Sequence, residues 1–336
     1  MSKRYTGQTR MSYGLTVESF DSLASCWANP SNRLKWSSIF VLPTWLKVWW
    51  QAFGSGAELY LRTLRQRNEI IGFAPLMMNK ETAYFIGSAD VCDYLDFVIA
   101  RGMERDFFDV LLNDLKAKGI KYLGLRSLRP DSTVITDLVG TTQNRGYEVI
   151  CQPEDISLEV DLSSTWEEYL ATLDKKQRHE VRRKLRRLWE TGNVEHHCLQ
   201  LSQEVEDYMG TFLKLFSLSH DEKAHFMTAQ MESFFRSLAK AMAEVGLLRF
   251  GVIELDAQPV AMTMGFDYDD SHYLYNSAYD PQFNYLSVGL LCKILCLKES
   301  IEKGKKKWDF LKGDETYKYQ LGGREVPLYR CHITIK

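Results

Sequence analysis

Six chemically versatile side chains fall within ten residues near the end of the chain: Asp309, Lys312, Asp314, Glu315, Tyr317 and Lys318. A carboxylate here could deprotonate or orient an amine, Tyr317 could protonate a leaving group, and a lysine could hold an acidic group of either substrate. Lys-Gly-Asp-Glu is also the composition of an ordinary solvated turn. Composition alone therefore does not separate the two readings.

A second concentration is basic. Lys175, Lys176, Arg178, Arg182, Arg183, Lys184, Arg186 and Arg187 crowd one segment whose single acid is Glu180. Charges of one sign repel, and a run of this length usually meets phosphate, carboxylate or anionic lipid, so an anionic partner is expected. In a helix over 174–189, Val181, Leu185 and Leu188 form the buried stripe. Lys175, Arg178 and Arg182 then share a face and are the expected contacts to an anionic acceptor. Arg178 is the best single choice, because a guanidinium grips a carboxylate or phosphate through two parallel bonds.

A third cluster is acidic: Asp90, Asp93 and Asp96 with Tyr94. It could receive a cationic amine or the hydroxyls of a sugar, and it lacks the ligand density and loop glycine of a calcium site. His196, His197 and Cys198 stand in a strand pattern that turns His197 away from the other two, so no metal is expected. His220 and His225 lie in a polar stretch over 219–228, with His220 a candidate acceptor contact. The seven cysteines are scattered without a C-x-x-C spacing. They read as reduced, mostly buried thiols, and Cys292 and Cys296 have core spacing on an apolar helix.

The elements that must position these groups alternate strand and helix patterns, as in an α/β or α+β chain. Strand 15–20 and helix 44–53 lead into a hairpin over 58–78. A strand pair at 83–87 and 94–100, helix 104–118 and strand 120–126 follow. The grammar then recurs: a hairpin over 247–266, strand 271–278, helix 288–303 and strand 308–311. Both helices run into Lys-Gly, which suits a helix C-terminus. At 336 residues, with 45% hydrophobic and 12% aromatic content, the chain can fill two cores. Two similar domains are expected, residues 1–154 and 155–336.

With 42 basic and 44 acidic residues the chain has no global field that calls for nucleic acid or membrane. No segment is long and apolar enough to span a bilayer, and the N-terminus lacks a leader-like apolar stretch, so a cytoplasmic protein is expected.

Over most of its length the chain resembles a GNAT-like bacterial acetyltransferase family associated by name with cellulose biosynthesis, and Fem-type aminoacyltransferases share that double fold. The resemblance rests on Trp45-Leu46-Lys47-Val48-Trp49-Trp50 with Phe53, on Gly72-Phe73-Ala74-Pro75-Leu76, on Lys176-Gln177-Arg178, and on Asp309-Phe310-Leu311-Lys312-Gly313-Asp314-Glu315 with Tyr317-Lys318. It implies a mixed-sheet α/β fold duplicated in tandem, with acetyl-CoA or another acyl-CoA as co-substrate and no metal. The donor would lie beside a splayed strand, with Asn276 near the developing oxyanion and Ser287, Val288, Gly289 and Leu290 presenting a helix start to its pyrophosphate. The segment is poorer in glycine than the phosphate loop usual in that family and lacks its leading basic residue.

On this reading Asp309, Glu315 and Tyr317 are the catalytic candidates. Asp93, Tyr94, Asp96, Lys175, Arg178, Arg182, His220, Lys312 and Lys318 are the substrate-binding candidates. The N-terminal domain is expected not to bind the donor, because acids flank the matching helix start near Gly102 to Asp106. The implied reaction is N-acylation of an amino sugar, polysaccharide precursor or small metabolite that carries an anionic group. A Fem-like transfer from charged tRNA and a non-catalytic scaffold of a surface-polysaccharide pathway are the alternatives.

Overall fold

The computed structural model describes residues 13–67, 69–88 and 90–336. The reading of the first fourteen residues as leaderless lies almost wholly outside them, as does Asn68 in the first hairpin turn. The chain opens with β1 (Tyr13–Val17), α1 (Phe20–Ala28) and α2 (Pro43–Phe53), followed by β2 (Glu58–Gln66), β3 (Glu69–Asn79), β4 (Thr82–Phe85) and β5 (Val98–Ile99). Next come α3 (Glu104–Ala117), β6 (Tyr122–Leu128), α4 (Val139–Asn144), β7 (Glu148–Asp161), α5 (Trp166–Thr172), α6 (Lys175–Trp189) and β8 (Val194–Leu199). Helices α7 (Ser202–Ser219), α8 (Asp221–Phe226) and α9 (Ala229–Glu244) precede β9 (Leu248–Leu255), β10 (Gln258–Tyr268) and β11 (Ser271–Tyr279). The chain closes with α10 (Val288–Glu302), β12 (Lys307–Lys312), α11 (Thr316–Gln320) and β13 (Arg324–Thr334).

These elements form two compact units that are not consecutive halves. Unit 1 holds the described residues up to Leu46, Gly54–Gln152 and Tyr329–Lys336; unit 2 holds Lys47–Phe53 and Pro153–Leu328. In unit 1 the strands run β1-β2-β3-β4-β6-β13, and β5 pairs with β3. In unit 2 they run β8-β9-β10-β11-β12-β7. Each sheet is antiparallel up to a single parallel pair, β4 with β6 and β11 with β12, and each then closes on an antiparallel strand. The closing strands explain the discontinuity. Ser157 to Asp161 of β7 pair with β12, and Tyr329 to Thr334 of β13 pair with β6.

Local chemistry accounts for most boundaries. Asp256 and Ala257 take positive φ, 51° and 60°, in the two-residue turn of the β9–β10 hairpin. Gly119 and Gly304, at φ 78° and 75°, stop α3 and α10 at the left-handed position past the helix end. Asp174 caps α6 by accepting the Gln177 N–H at 2.8 Å, and Thr165 with Glu168 makes a capping box on α5. In unit 2, Trp308, Phe310, Tyr169, Leu291 and Leu297 are buried in one core beneath the sheet.

Four expectations need correction. The strand expected at 15–20 is β1, which ends at Val17, because Ser19 accepts the Ser22 N–H at 3.1 Å and starts α1. Residues 83–87 and 94–100 do not pair with each other; β4 pairs with β3 and β6, and β5 is two residues on β3. The stretch read as a loop around His220 contains α8. Cys151 and Cys331 form a disulfide within unit 1, so those two thiols are not reduced, while Cys26, Cys92, Cys198, Cys292 and Cys296 are free. A pair separated by 180 positions leaves no spacing signature to read.

Candidate active site

In unit 2, β11 and β12 share a parallel register only from Ser271–Lys307 to Tyr273–Asp309. Past that point they part company, because β11 stays on β10 as far as Tyr279 while β12 turns onto β7. Irregularities sit at the divergence on both strands. The register to β10 slips between Leu274 and Asn276, and that to β7 slips between Asp309 and Leu311. Bulges of this kind bend a strand and end its pairing. Leu311 takes the left-handed φ of 61°, and the buried Asp309 carboxylate accepts its N–H at 2.8 Å. Asp309 is thus engaged in shaping the splay.

Lysines converge on the opening. Lys223 of α8 donates through Nζ to the Ser277 carbonyl of β11 at 2.5 Å and lies 4.6 Å from the Phe216 ring centre. Lys293 of α10, only 8% exposed, donates to the Gly289 carbonyl at 3.0 Å and sits 4.8 Å over the Tyr317 ring. Lys318 of α11, buried, bonds the carbonyls of Leu311, Lys312 and Gly313 and the Glu315 carboxylate at 2.8 Å. Lys318 therefore clamps the loop that follows β12.

Burial disfavours an isolated charge. It draws Lys293 down to about 8, the nearby charge of Lys223 adds to the effect, and Glu315 opposes it. Burial also draws Lys223 down to about 8, again against Glu315. The phenol of Tyr317 is pushed up, by burial first and by Glu315 second. Two desolvated, mutually repelling ammonium groups stand beside one exposed carboxylate. Such a site gains from any negative charge that enters it.

The start of α10 is built differently from a bare phosphate cradle. Ser287 occupies the cap position with a left-handed φ of 60°, but its side chain makes no capping bond. The Leu290 N–H is engaged with the Ser287 carbonyl at 3.0 Å. Gly289 is buried against Tyr279, where an added Cβ would stand 2.7 Å from Cδ1. The close approach made possible by this glycine is that of a tyrosine ring. Val288 is buried and Asn276 half-buried on β11. His220 joins α7 to α8 with its ring 6.1 Å from that of Tyr279.

On α6, Lys175 and Arg182 are exposed and Arg178 half-buried, with Arg182 paired to Glu167 at 2.5 Å and no ion pair on Arg178 among the described residues. Arg187 donates to the Tyr285 carbonyl, which ties α6 to the turn before α10. The acidic cluster belongs to unit 1. Asp96 is buried and accepts the Thr133 hydroxyl at 2.6 Å and the Phe97 N–H at 2.8 Å. Burial pushes its carboxyl up to about 7 despite those donors. Tyr94 is buried under the Arg129 guanidinium, and Asp93 is half-buried.

The structure therefore groups Glu315, Tyr317 and Lys318 at one cleft, with Asp309 at its apex and Lys312 half-buried at the end of β12. Asp93, Tyr94 and Asp96 fall in the other unit. Lys223 and Lys293 escaped the sequence reading. Lys293 had a signal, a lone charge among Leu290, Leu291, Ile294 and Leu295, whereas Lys223 had none. No group of metal-ligating residues occurs among the described residues.

Residues 175–319 match the sequence profile of the family described as "Acetyltransferase (GNAT) domain". The sequence matches none of the curated proteins with which it was compared. Among solved structures the chain is similar to FemX at 12% identity and a TM-score of 0.66, covering 94% of this chain and 96% of that one. It is similar to a tandem GNAT protein from the clavulanic acid biosynthesis pathway at 10% identity and a TM-score of 0.50, over 95% and 98% of the two chains. It is also similar to the C-terminal domain of a lysylphosphatidylglycerol synthetase from Agrobacterium fabrum at 10% identity and a TM-score of 0.53, over 79% and 81%. With the doubled strand order and the splayed parallel pair, these likenesses show a mixed-sheet α/β chain with the GNAT-type acyltransferase fold.

Proposed function

We propose that the chain is an N-acyltransferase that passes an acetyl or other acyl group from acyl-CoA to an amine within the cleft of unit 2. The observation that carries this reading is the pair Lys223 and Lys293, two desolvated ammonium groups at the mouth of the β11–β12 splay. The amine nitrogen attacks the thioester carbonyl carbon, a C–N bond forms, and the carbonyl oxygen takes up negative charge. Lys223 and Lys293 stabilise that charge by proximity in a poorly hydrated site. Collapse breaks the C–S bond, the nitrogen passes its extra proton to the Glu315 carboxylate, and the departing thiolate accepts a hydrogen bond from Tyr317, whose raised pKa keeps the phenol protonated. Glu315, exposed at the rim, receives and orients the amine.

Asp309 supports the geometry through Leu311. Asn276 and the residues around Ser287 to Leu290 remain the proposed donor contacts, with Lys312 at the end of the neighbouring β12. The acceptor would be an amino sugar, a polysaccharide precursor or another small metabolite, with its anionic part on Arg178 and its neighbours Lys175 and Arg182. Unit 1 would not bind donor: Glu104 and Asp106 lie in the first turn of α3, where negative charge repels a phosphate.

A second donor, charged tRNA, is favoured by the charge of α6 alone. Thermal shift and calorimetric titration with acetyl-CoA and with charged tRNA decide between them. The acyl-CoA reading requires saturable acetyl-CoA binding that Lys293→Met weakens. Binding of tRNA alone, falling steeply with salt, would replace it with the second. A response to neither would leave a non-catalytic scaffold.

A further inference from the structure

Unit 1 carries a notch of about 230 Å³ on its sheet that shares no residue with the cleft described above. Its geometry follows from one glycine. Gly124 of β6 stands in register with Tyr84 of β4 on one side and with His332 of β13 on the other. The missing side chain leaves a gap into which the Tyr84 ring leans, so that a Cβ at this position would lie 2.7 Å from Cε1. His332 is held parallel to Tyr122, with ring centres 5.4 Å apart and planes at 27°. The notch is thus flanked by two flat rings, both at the surface.

Its rim is basic. Arg126 and Arg330 line it together with His332, and none of the lining residues is acidic. The Arg330 guanidinium donates to the Gln152 amide oxygen at 3.2 Å, which steadies it at the edge. Aromatic faces suit a planar ring, guanidinium groups suit a phosphate, and a side-chain amide suits the polar edge of a base. The volume lies below the roughly 300–1,000 Å³ of pockets that enclose a drug-sized ligand. It fits one ring and its phosphate, not a whole coenzyme.

We propose that this notch binds a single nucleotide unit, with the base laid against Tyr84 and His332 and the phosphate on Arg330 beside Arg126. The assignment does not rest on the acyl-transfer reading. The same chemistry comes from a free mononucleotide or from one residue of a single-stranded RNA.

Adenosine 5′-monophosphate, adenosine and ribose 5-phosphate are titrated against the full chain. The nucleotide should bind about tenfold or more tightly than either half, since stacking and phosphate contact both contribute. Arg330→Ala should reduce the nucleotide to the affinity of adenosine, and Tyr84→Ala should weaken it about tenfold, while Tyr84→Phe, which keeps the ring, should bind as wild type. A single-stranded octaribonucleotide binding more tightly than the mononucleotide, and losing that advantage in Arg330→Ala, assigns the notch to a strand; equal affinity assigns it to the free nucleotide. No nucleotide binding by the wild-type chain, or binding that survives both Arg330→Ala and Tyr84→Ala, overturns the proposal. Should Tyr84→Ala unfold, Arg330→Lys and Tyr84→Phe carry the test, with a loss in the former and none in the latter.

Discussion

At the scale of single residues, burial of Lys293 ties stability to the proposed chemistry. A lysine brought from an ordinary 10.5 down to about 8 marks roughly 3 kcal/mol of unrelieved charge burial. Its folded-state pKa is depressed and its charged form is the protonated one, so the penalty is complete below about pH 8, where both states hold the proton. Between about 8 and 10.5 the unfolded chain binds the extra proton, and stability rises with pH. Lys293→Met should therefore raise the thermal midpoint at pH 7, offset in part by the lost bond to Gly289, and the gain should shrink as pH climbs through that window. Scanning calorimetry at pH 7 and 9.5 checks it; an equal gain at both pH values would deny the burial argument. The same variant should lose acyl transfer. Gly289→Ala is a purely steric case. The added carbon meets Tyr279 and should cost about 1–3 kcal/mol in urea unfolding.

Among elements, α6 is the one whose charge asks for an explanation. Its cap, its apolar stripe and its tie to Tyr285 hold it in place, and its ion pairs to Glu167 and Glu180 neutralise Arg182 and Arg183 but not Arg178. Exposed pairs such as these contribute little, so the positive field of the helix is the feature that a variant can test. Arg178→Ala should leave donor affinity intact and weaken an anionic acceptor by about 2 kcal/mol, near thirtyfold, with the difference narrowing at high salt. Titrations of donor and acceptor at two ionic strengths read both terms. Unchanged acceptor binding would make α6 a solvated face.

For the whole molecule, the exchange of closing strands links chain connectivity to stability. The last residues of β13 return to unit 1, where Cys331 is bonded to Cys151 across a separation of 180 residues. Closing a loop of that length in the unfolded state contributes at most roughly 5 kcal/mol. Cys151→Ser, or reduction, should lower the calorimetric transition of unit 1 and release β13 from β6 to faster amide exchange, while the β11–β12 region of unit 2 stays protected. Equal loss of protection at both places would mean that the units unfold as one.

Much of the scaffold was legible without coordinates, for a physical reason: hairpin turns, helix caps and hydrophobic periods are local, and they recur in the same order in both halves. That made the hairpin–strand–helix–strand grammar, the bounds of α6 and the group from Asp309 to Lys318 readable from neighbouring residues. Helix α8 escaped because six residues with no apolar period look like a polar loop. The disulfide and the strand exchange escaped because their partners lie far apart in sequence and carry no spacing rule. Lys223 and Lys293 show the deeper limit. A lysine becomes a site only when burial lowers its pKa and a second charge is brought beside it, and those conditions arise from the packing of α8 and α10 at the splay. The residues determined which elements form; the tertiary structure alone decided which of their charges would be desolvated together.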